Sequence, residues 1–385
     1  MRAVTRASCV LLGALIGACD PASQPAAGSG CTFKRTDVTV GTGSTAVAVA
    51  DFDEDGTPDL AVTNNLSDTV SVLIGSGGGN FQPKVDYATG GRPFAVTVAD
   101  LDKNGILDLA IGNGGGGVSV LLGNGLLGVG DGTFQAKVDS PLDPALCRNS
   151  DGIASGDFNK DGNPDLIVAN DLPSGPATAT LLLGNGTAAF GSPASFPTGN
   201  ATESVAVGDF NGDGNLDVAA ANLNSSNVTV LLGNGAGGFP ASAHYVVTGL
   251  PYFVTTADLN GDGKLDLVTA NLSSKVSVLL GNGDGTFKPE ALYGTGLQAY
   301  AVAVADLDGD GKLDLATADY GDGTASVLLG NGDGTFQPRT SYAVGPNPFS
   351  VAVADLDGNG KPDLVLSSWS PGSTAVSVLL RSCGR

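Results

Sequence analysis

The sequence predicts an all-β fold, a seven-bladed β-propeller built of four-stranded antiparallel blades. Three observations predict it: a nine-residue Asp-rich motif occurs seven times, its copies begin 48 to 57 residues apart, and the segments between copies look like short strands joined by tight turns. Repeats of about 50 residues with four strands each are typical of propeller blades. A closed ring leaves no long exposed sheet edge, which suits a chain with 59 glycines in 385 residues.

The sixth repeat shows how each blade is expected to form. Its apolar segments alternate or are rich in small and β-branched residues, and its turn is the glycine-rich segment GNGDGT at 330–335. Such segments joined by short links favour an antiparallel meander. The expected strands cover residues 300–305, 314–318, 325–329 and 336–344.

The two ends of the sequence predict how the ring closes. Residues 375–380 match the third strand of the sixth repeat, and residues 32–40 match its fourth strand. We therefore expect an N-terminal strand to complete the last blade, so that the two ends of the chain share one blade.

The first 18 residues resemble an export signal of the bacterial lipoprotein type. Arg2 and Arg6 precede an apolar stretch at 10–18 that is too short to span a bilayer. The sequence IGAC at 16–19 resembles a lipobox, in which the chain is cut before the cysteine and lipid is attached, here to Cys19. The alternative is an ordinary signal peptide with a chance cysteine.

This interpretation divides the chain into three parts. They are a lipoprotein signal at 1–18, a flexible tether at 19–30 that is rich in Pro, Ala, Gly and Ser, and the propeller at 31–385. It predicts an exported protein that a lipid anchor alone attaches to a membrane, facing the periplasm or the cell exterior.

Charge and histidine content exclude several classes of function. The formal net charge is −21, with 39 acidic against 18 basic residues, so we expect no nucleic-acid binding. His244 is the sole histidine, which argues against His-based zinc sites and Ser-His-Asp catalysis. Only three of the acidic residues are glutamates, and this bias towards Asp indicates carboxylates placed for geometry.

The seven Asp-rich motifs are the candidate metal sites. In each, positions one, three, five and nine are Asp or Asn, position six is Gly, and position seven offers its backbone carbonyl. Hard oxygen ligands at alternate positions around a sharp glycine turn suit Ca²⁺, whereas Mg²⁺ prefers fewer protein ligands. We predict up to seven Ca²⁺ ions, with the ninth-position Asp as the bidentate ligand. The alternative is a set of Asp-Gly turns without metal.

The predicted ligands follow in chain order, five to a motif. They are Asp51, Asp53, Asp55, Thr57 and Asp59; Asp100, Asp102, Asn104, Ile106 and Asp108; Asp157, Asn159, Asp161, Asn163 and Asp165; Asp209, Asn211, Asp213, Asn215 and Asp217; Asp258, Asn260, Asp262, Lys264 and Asp266; Asp306, Asp308, Asp310, Lys312 and Asp314; Asp355, Asp357, Asn359, Lys361 and Asp363.

These motifs resemble the FG-GAP or VCBS repeats, whose seven-bladed form is the propeller of the integrin α-subunit head. The resemblance covers residues 31–385 and rests on the DxDxDGxxD loop followed by a glycine-rich turn and Phe. It implies that a calcium loop joins the first and second strands of each blade. It also implies a scaffold for binding proteins or glycans, although a minority of such blades belong to polysaccharide lyases. Fold resemblance alone does not define function.

The leading functional hypothesis is a calcium-stabilised, lipid-anchored binding or adhesion module for a protein or a glycan. We expect it to be a monomer and not an enzyme, because most carboxylates belong to the motifs. The alternative is a glycan-acting enzyme such as a polysaccharide lyase, with a Tyr or Lys and an Arg near the propeller axis. A structural role without a small ligand is the third hypothesis.

The loops on the face opposite the calcium motifs are the predicted recognition surface. They vary between repeats, and variable loops on a rigid scaffold often bind ligands. The alternative is that their aromatic rings only cap the blade ends. Aromatic and Arg residues dominate binding hot spots, and these loops contain Arg92, Arg148, Tyr252, Tyr300, Tyr320 and Trp369.

The cysteines predict one disulfide bond. When the two ends of the chain are aligned with the hairpin at 330–336, Cys31 and Cys383 fall across a tight turn, at a separation that a disulfide accepts. Export to an oxidising compartment would allow the bond to form. Cys147 then has no evident partner.

Overall fold

The computed structural model describes residues 31–140, 149–171 and 177–383, and all of its regular secondary structure in these ranges is β-strand. The chain starts with β1 (Cys31–Thr39), and the remaining strands follow blade by blade. None of the described residues belongs to a helix long and apolar enough to cross a membrane.

The first three blades contain β2 to β17. Blade 1 has β2 (Ser44–Ala50), β3 (Asp59–Asn64), β4 (Thr69–Leu73) and β7 (Val85–Ala88), with a short hairpin of β5 (Gly75–Gly77) and β6 (Asn80–Phe81). Blade 2 has β8 (Pro93–Ala99), β9 (Asp108–Asn113), β10 (Val118–Leu121) and β13 (Val138–Ser140), with a hairpin of β11 (Gly123–Leu126) and β12 (Val129–Phe134). Blade 3 has β14 (Asn149–Gly156), β15 (Asp165–Asp171), β16 (Thr178–Leu182) and β17 (Ala194–Pro197).

The other four blades contain β18 to β32 together with β1. Blade 4 has β18 (Thr202–Gly208), β19 (Asp217–Asn222), β20 (Asn227–Leu232) and β21 (Ala241–Val246). Blade 5 has β22 (Pro251–Ala257), β23 (Asp266–Asn271), β24 (Lys275–Leu279) and β25 (Ala291–Gly294). Blade 6 has β26 (Ala299–Ala305), β27 (Asp314–Asp319), β28 (Thr324–Leu328) and β29 (Thr340–Ala343). Blade 7 has β30 (Pro348–Ala354), β31 (Asp363–Ser368), β32 (Ala375–Cys383) and β1.

Every blade is a four-stranded antiparallel sheet, and the seven first strands form a closed ring. Each first strand contacts the first strands of the two neighbouring blades, including β30 against β2. The predicted all-β, seven-bladed propeller is therefore confirmed.

The fourth strands are shorter than expected. In blade 6 the fourth strand is β29, at 340–343 rather than 336–344. Phe336 forms only an isolated bridge with Gly330 at the base of the hairpin, and regular pairing resumes at Thr340. Pro338 lies in the interruption and has no amide hydrogen to give to a neighbouring strand.

The predicted closure by the N-terminal strand is also confirmed. β1 pairs with β32 along nine residues, and Phe33 lies opposite Arg381 as Phe336 lies opposite Gly330 in blade 6. The ring of Phe33 packs edge-on against Tyr342 of blade 6 at 4.9 Å, as Phe336 packs against Tyr293 at 5.3 Å. The N-terminal strand thus makes the same contact with the preceding blade as a strand within the chain does.

The hydrophobic core lies between blades rather than within them. All six residues of β27 are buried, and the pattern repeats in the second strand of most blades. One buried cluster joins Ala316 of blade 6 to Leu364 and Leu379 of blade 7, and the other clusters likewise join neighbouring blades. Because each cluster needs two blades, a ring with an open end would expose apolar surface to water. Closing the ring buries that surface.

Candidate functional site

The seven Asp loops lie at one end of the ring, each between the first and second strands of a blade. In blade 6 the carboxylate of Asp306 accepts hydrogen bonds from the backbone N–H groups of Asp310 at 3.1 Å and Gly311 at 2.8 Å. Asp308 accepts from the N–H of Asp310, and Asp310 accepts from that of Lys312. All seven loops repeat this pattern. The backbone thus draws positions one, three and five around a common centre.

The glycine at position six is required by the turn. Gly311 has a φ of +84°, a left-handed conformation that side chains rarely adopt, and the sixth residue of every loop has a positive φ. The fourth position is also left-handed, even where it is Glu54, Lys103 or Lys160. The turn therefore holds its shape in spite of backbone strain at three of the seven loops.

The ninth-position Asp connects each loop to the hairpin after the third strand. In blade 6, Asp314 is about 1% exposed, and its Oδ2 accepts from the N–H of Leu307 at 2.8 Å. Its Oδ1 accepts from the N–H of Gly330 at 2.7 Å. In blade 6, Oδ2 also accepts from the N–H of Asp308 at 3.2 Å. A carboxylate has about four acceptor positions, so one remains on Asp314 for another ligand. The equivalent Asp of every other loop makes the same pair of bonds.

Among the described residues, no Lys or Arg forms an ion pair with these buried carboxyl groups. Burial, and then the neighbouring carboxylate of Asp308, raise the pKa of Asp314 to about 6 in spite of its three backbone hydrogen bonds. The same causes raise the pKa of Asp165 and Asp266. The pKa is likewise raised to about 6 for Asp59, Asp108, Asp217 and Asp363.

The arrangement fits a hard divalent cation. In four loops the carboxylate oxygens of positions one, three and nine come within 4.8 Å of one another, and in the other three loops Asn stands at position three. Carboxylate, amide and carbonyl oxygens are the ligands of Ca²⁺. Two lysines at position seven reduce the charge of their loops, because Lys312 Nζ lies 2.8 Å from Asp310 Oδ2 and Lys264 Nζ lies 3.9 Å from Asp262 Oδ2.

The Asp loops also join neighbouring blades. The N–H of Gly285, in the hairpin of blade 5, donates to the carbonyl of Phe210, the second residue of the loop in blade 4. Phe210 packs edge-on against Phe287 of that hairpin at 5.7 Å. The same hydrogen bond recurs at four other blade junctions. An ion that fixes one loop would therefore also strengthen the contact with the next blade.

A cluster of six aromatic side chains, here called the aromatic basin, lies at the opposite end of the ring. Tyr300 is central, with ring centroids 4.6 Å from Tyr252, 4.8 Å from Tyr320 and 4.9 Å from Phe349. Trp369 extends the cluster at 6.0 Å from Phe349, and Phe94 lies 6.3 Å from Phe349. All six side chains are half-buried. A cavity of about 200 Å³ opens here between the first strands.

One sequence position accounts for most of the basin. Phe94, Tyr252, Tyr300 and Phe349 each precede the first Asp of their loop by six residues, and Glu203 holds this position in blade 4. All five line the cavity. Phe94 and Phe349 were not among the predicted ligand-binding residues, although aligning the seven motifs places them at the same position as Tyr252 and Tyr300.

The predicted ligand-binding residues divide into two groups. Tyr252, Tyr300, Tyr320 and Trp369 meet in the basin, whereas the Arg92 guanidinium donates to the carbonyl of Gly114 at 2.5 Å and does not line the cavity. The indole Nε1 of Trp369 is buried without a hydrogen-bond partner among the described residues.

Several predicted residues lie outside what the structure describes. Cys19 falls within residues 1–30, and Cys147 and Arg148 fall within 141–148. The backbones of Cys31 and Cys383 are paired directly across β1 and β32, but their side chains are not described. Directly opposed residues of antiparallel strands have Cα atoms about 4.5–5.5 Å apart, within the range that a disulfide accepts.

A ring of seven antiparallel blades, each with an Asp loop between its first two strands, defines a repeat propeller with candidate metal loops. The chain belongs to the FG-GAP-like repeat family: the family description matches residues 51–111, 157–220, 209–269, 258–317 and 306–366, which together span more than half of the chain. Each match begins at the first Asp of an Asp loop.

Solved structures support the fold alone. A chain in the crystal structure of BBS1N in complex with ARL6DN, soaked with lead, is 11% identical, with a TM-score of 0.62 over 93% of this chain and 98% of that one. The corresponding structure soaked with mercury is 12% identical, with a TM-score of 0.60 over 91% of this chain and 97% of that one. No curated protein matches the sequence.

Proposed function

We propose that this protein is an exported, lipid-anchored binding module whose aromatic basin recognises a glycan or a protein. The observation behind this proposal is the basin itself, in which four blades place an aromatic residue at one shared position around a small cavity. Half-buried aromatic side chains at the centre of a concave surface are typical of binding sites. We further propose that the protein acts as a monomer.

A glycan suits the basin better than a protein segment does. The cavity of about 200 Å³ is smaller than the ~300–1,000 Å³ of typical sites for drug-sized ligands, so it fits a single ring. The flat faces of Tyr300 and Tyr252 offer apolar contact to a ring, and Glu203, Ser204 and Ser350 line the same cavity with polar groups. An apolar wall with a few polar groups matches the two sides of a sugar ring.

The alternative, a polysaccharide lyase, has weaker support. Such a reaction needs a base near the ligand, and burial, followed by the nearby Tyr320 and Glu203, raises the pKa of Tyr300. A raised pKa disfavours the phenolate that would act as the base. The described residues that line the cavity include no Lys or Arg to stabilise a developing negative charge. We therefore propose a binding role without catalysis.

Calcium is proposed as the ion of the Asp loops. Seven loops provide the same oxygen ligands, and each encloses a buried carboxyl group whose raised pKa a divalent cation would lower. The ion would organise the scaffold at a distance from the basin, and the ligands are those named from the sequence.

A binding array tests the proposal. The mature protein in calcium buffer is applied to glycan and envelope-protein arrays, together with a Tyr300→Ala, Trp369→Ala variant. We expect capture by a glycan that falls at least tenfold in the variant, with an unchanged melting temperature and calcium content. A matched control, Asp284→Ala and Asp333→Ala, alters exposed hairpins at the other end and should bind fully.

Three results would contradict parts of this proposal. Full binding by the basin variant, with loss in the hairpin control, would move the site to the Asp-loop end. Capture of envelope proteins alone would replace the glycan with a protein ligand. Cleavage of a glycan during incubation would support the lyase.

A further inference from the structure

The hairpin of blade 2 differs from all the others. Blade 2 has GNGLLGVGDGTF at 123–134, where blades 5 and 6 have GNGDGTF. The five additional residues extend the turn into the paired strands β11 and β12, with Leu126 opposite Val129. Blade 2 therefore projects a longer hairpin than its neighbours from the end of the ring that carries the Asp loops, here called the Asp-loop face.

The tip of this hairpin is apolar and fully exposed. Leu127 is 103% exposed, Leu126 is 82% exposed and Val129 is 50% exposed. Leu127 also has a φ of +57°, a left-handed conformation that costs a leucine energy and that Asn or Gly would adopt more easily. A leucine that is both strained and unburied contributes nothing to folding, which indicates a role outside the fold.

The base of the hairpin holds the tip in place. Ile106, at position seven of the loop in blade 2, is 5% exposed and lies beneath the hairpin, in contact distance of the backbone at Gly123 and Gly125. Gly132 N–H donates to the carbonyl of Phe52 at 3.2 Å, and Phe134 N–H donates to the Tyr87 hydroxyl at 3.1 Å. Blade 1 thus braces the hairpin, and the tip is presented on a rigid support.

The N-terminal segment leaves the ring at the same face. Cys31 pairs with Cys383, the last residue of β32, which is the third strand of blade 7. This strand ends beside the Asp loop, because the N–H of Arg381 donates to Asp363. Eleven residues, 20–30, separate Cys31 from the proposed lipid-bearing Cys19, a maximal reach of about 40 Å. A lipid anchor at Cys19 would therefore keep the Asp-loop face, with its leucine tip, close to the bilayer.

We propose that Leu126 and Leu127 insert into the membrane and orient the propeller, with the Asp-loop face towards lipid and the aromatic basin outwards. This proposal rests on the proposed lipid anchor. Two leucines bury too little apolar area for lasting attachment alone, but the anchor makes their insertion intramolecular, so a weak preference is sufficient. Ions in the Asp loops would reduce the negative charge of the face that approaches the lipid.

Quenching by brominated lipid tests the orientation. The lipidated full-length protein carrying Leu127→Trp is reconstituted with calcium into phosphatidylcholine vesicles with or without brominated acyl chains. The wild type is the matched control, because its single tryptophan, Trp369, lies in the basin at the opposite end. We expect at least twofold quenching of the added emission in the variant and no quenching in the wild type. Adding Leu126→Asp should reverse most of that quenching.

Vesicle flotation separates this proposal from the one on which it rests. Protein that floats with vesicles but shows no quenching at Leu127→Trp retains its anchor and overturns the insertion of the tip. Protein that does not float overturns the anchor and the oriented insertion together. Equal quenching of Trp369 and of the tip reporter would show that the propeller has no fixed orientation, which also contradicts the proposal.

Discussion

The two ends of each blade use carboxylates in opposite ways. At the Asp-loop face, burial and neighbouring carboxylates raise the pKa of the ninth-position Asp, to about 6 for Asp314. Towards the other end, burial would likewise raise the pKa of Asp37, but hydrogen bonds from Arg35 and Ser377 outweigh it, and the pKa is lowered. The hydrogen bond from Lys137 has the same net effect on Asp139. Arg35 and Lys137 thus pair with these two carboxylates, whereas no described Lys or Arg forms an ion pair with the ninth-position Asp of a loop.

This difference concerns where each carboxylate finds its hydrogen-bond donors. The second group of carboxylates takes part in a polar relay, defined here as a second-strand residue, a third-strand hydroxyl and a side chain in the fourth strand or immediately before it. In blade 5, Asn271 Nδ2 donates to Ser277 Oγ at 2.8 Å, and Ser277 donates to Glu290 at 2.7 Å. The Asp loops hold clustered carboxylates with mainly backbone donors. The loops thus hold charge that a bound cation would balance, whereas the relay gives Glu290 a side-chain donor from within the chain.

The largest expected effect is the loss of stability when calcium is removed. If the sites have dissociation constants of about 10⁻⁴–10⁻³ M, as extracellular modules do, a tenfold excess of Ca²⁺ contributes roughly 1.4 kcal/mol a site. Seven sites would then contribute about 10 kcal/mol, comparable to the stability of a whole domain. We expect EDTA to lower the melting temperature sharply or to unfold the ring.

The control adds Mg²⁺ after chelation and should restore little stability, because the loops offer more protein ligands than Mg²⁺ accepts. An unchanged melting curve in EDTA, with no calcium detected by elemental analysis, would mean that the loops are metal-free turns and would remove the contrast between the ends.

The next largest effect concerns the closure of blade 7 at the Asp-loop face. In blade 7 the third strand, β32, pairs with β1 from the other end of the chain. In the other blades a hairpin links the third strand to the fourth. A Cys31–Cys383 disulfide would restore the covalent link, and for so long a loop the chain-entropy estimate is roughly 6 kcal/mol at most. Reduction, or a Cys31→Ser, Cys383→Ser variant, should lower the free energy of unfolding. Free thiols at both positions in peptide mapping, or either one bonded to Cys147, would contradict this prediction.

A single loop can be disabled by Asp314→Asn. An amide has one acceptor oxygen, so one of the N–H groups of Leu307 and Gly330 would lose its partner, and the site would lose a charged ligand. We expect a destabilisation of about 2–3 kcal/mol and one fewer bound Ca²⁺ by calorimetry. The control Asp333→Asn changes an exposed hairpin residue and should stay within about 0.5 kcal/mol. Unchanged stoichiometry in Asp314→Asn would show that this carboxylate does not bind the ion.

The pH dependence should differ between the metal-free and the calcium-bound protein. Five of the seven ninth-position carboxyl groups have a pKa of about 6 in the folded state, against an ordinary value near 3.8. Between these values the folded state holds protons that the unfolded state has released, so the stability of metal-free protein falls as pH rises towards 6. Calcium competes with those protons, so its protection should fade as pH drops through about 6.

Melting curves from pH 4.5 to 7.5, for protein freed of metal on a chelating resin and for the same protein in calcium, measure this difference. The two melting temperatures should converge at the acid end. An equal effect of calcium at pH 5 and pH 7.5 would show that protons and the ion do not compete for these carboxylates.

The sequence was informative where chemistry repeats along the chain. The period of the motif predicted the blades, and matching residues 32–40 to an internal strand predicted the closure that Phe33 and Tyr342 show. The 57-residue interval between Asp100 and Asp157 indicates additional residues in blade 2. It does not show that Leu127 is exposed, because that exposure depends on how blade 1 braces the hairpin. Aligning the motifs gives Phe94 and Phe349 the same position as Tyr252 and Tyr300, but these residues share one cavity only because the first strands converge at the axis, which the alignment does not show.

The smallest effect concerns blade 6, where the polar relay runs backwards. Asp319 replaces the Asn or Ser of other blades, and Arg339 replaces Glu290. Arg339 donates to Ser326 Oγ at 3.3 Å, and Ser326 donates to Asp319 Oδ2 at 2.5 Å. Burial raises the pKa of Asp319, although hydrogen bonds from three hydroxyls and the charge of Arg339 oppose the shift. Donation to and from the third-strand hydroxyl thus runs in the opposite direction to that in blade 5.

A double-mutant cycle therefore tests whether the direction of the relay matters. Asp319→Asn places an amide donor against a hydroxyl that Arg339 already donates to, and Arg339→Glu places a second carboxylate near Asp319. Each change should cost about 1–2 kcal/mol in urea unfolding with calcium present. The double variant restores the order of donation found in blade 5. Its loss of stability should be smaller than the sum of the two single losses by a coupling energy of about 1 kcal/mol or more. Additive costs would show that the relay acts as separate hydrogen bonds, and that this end of the blade is not the self-contained network that the comparison requires.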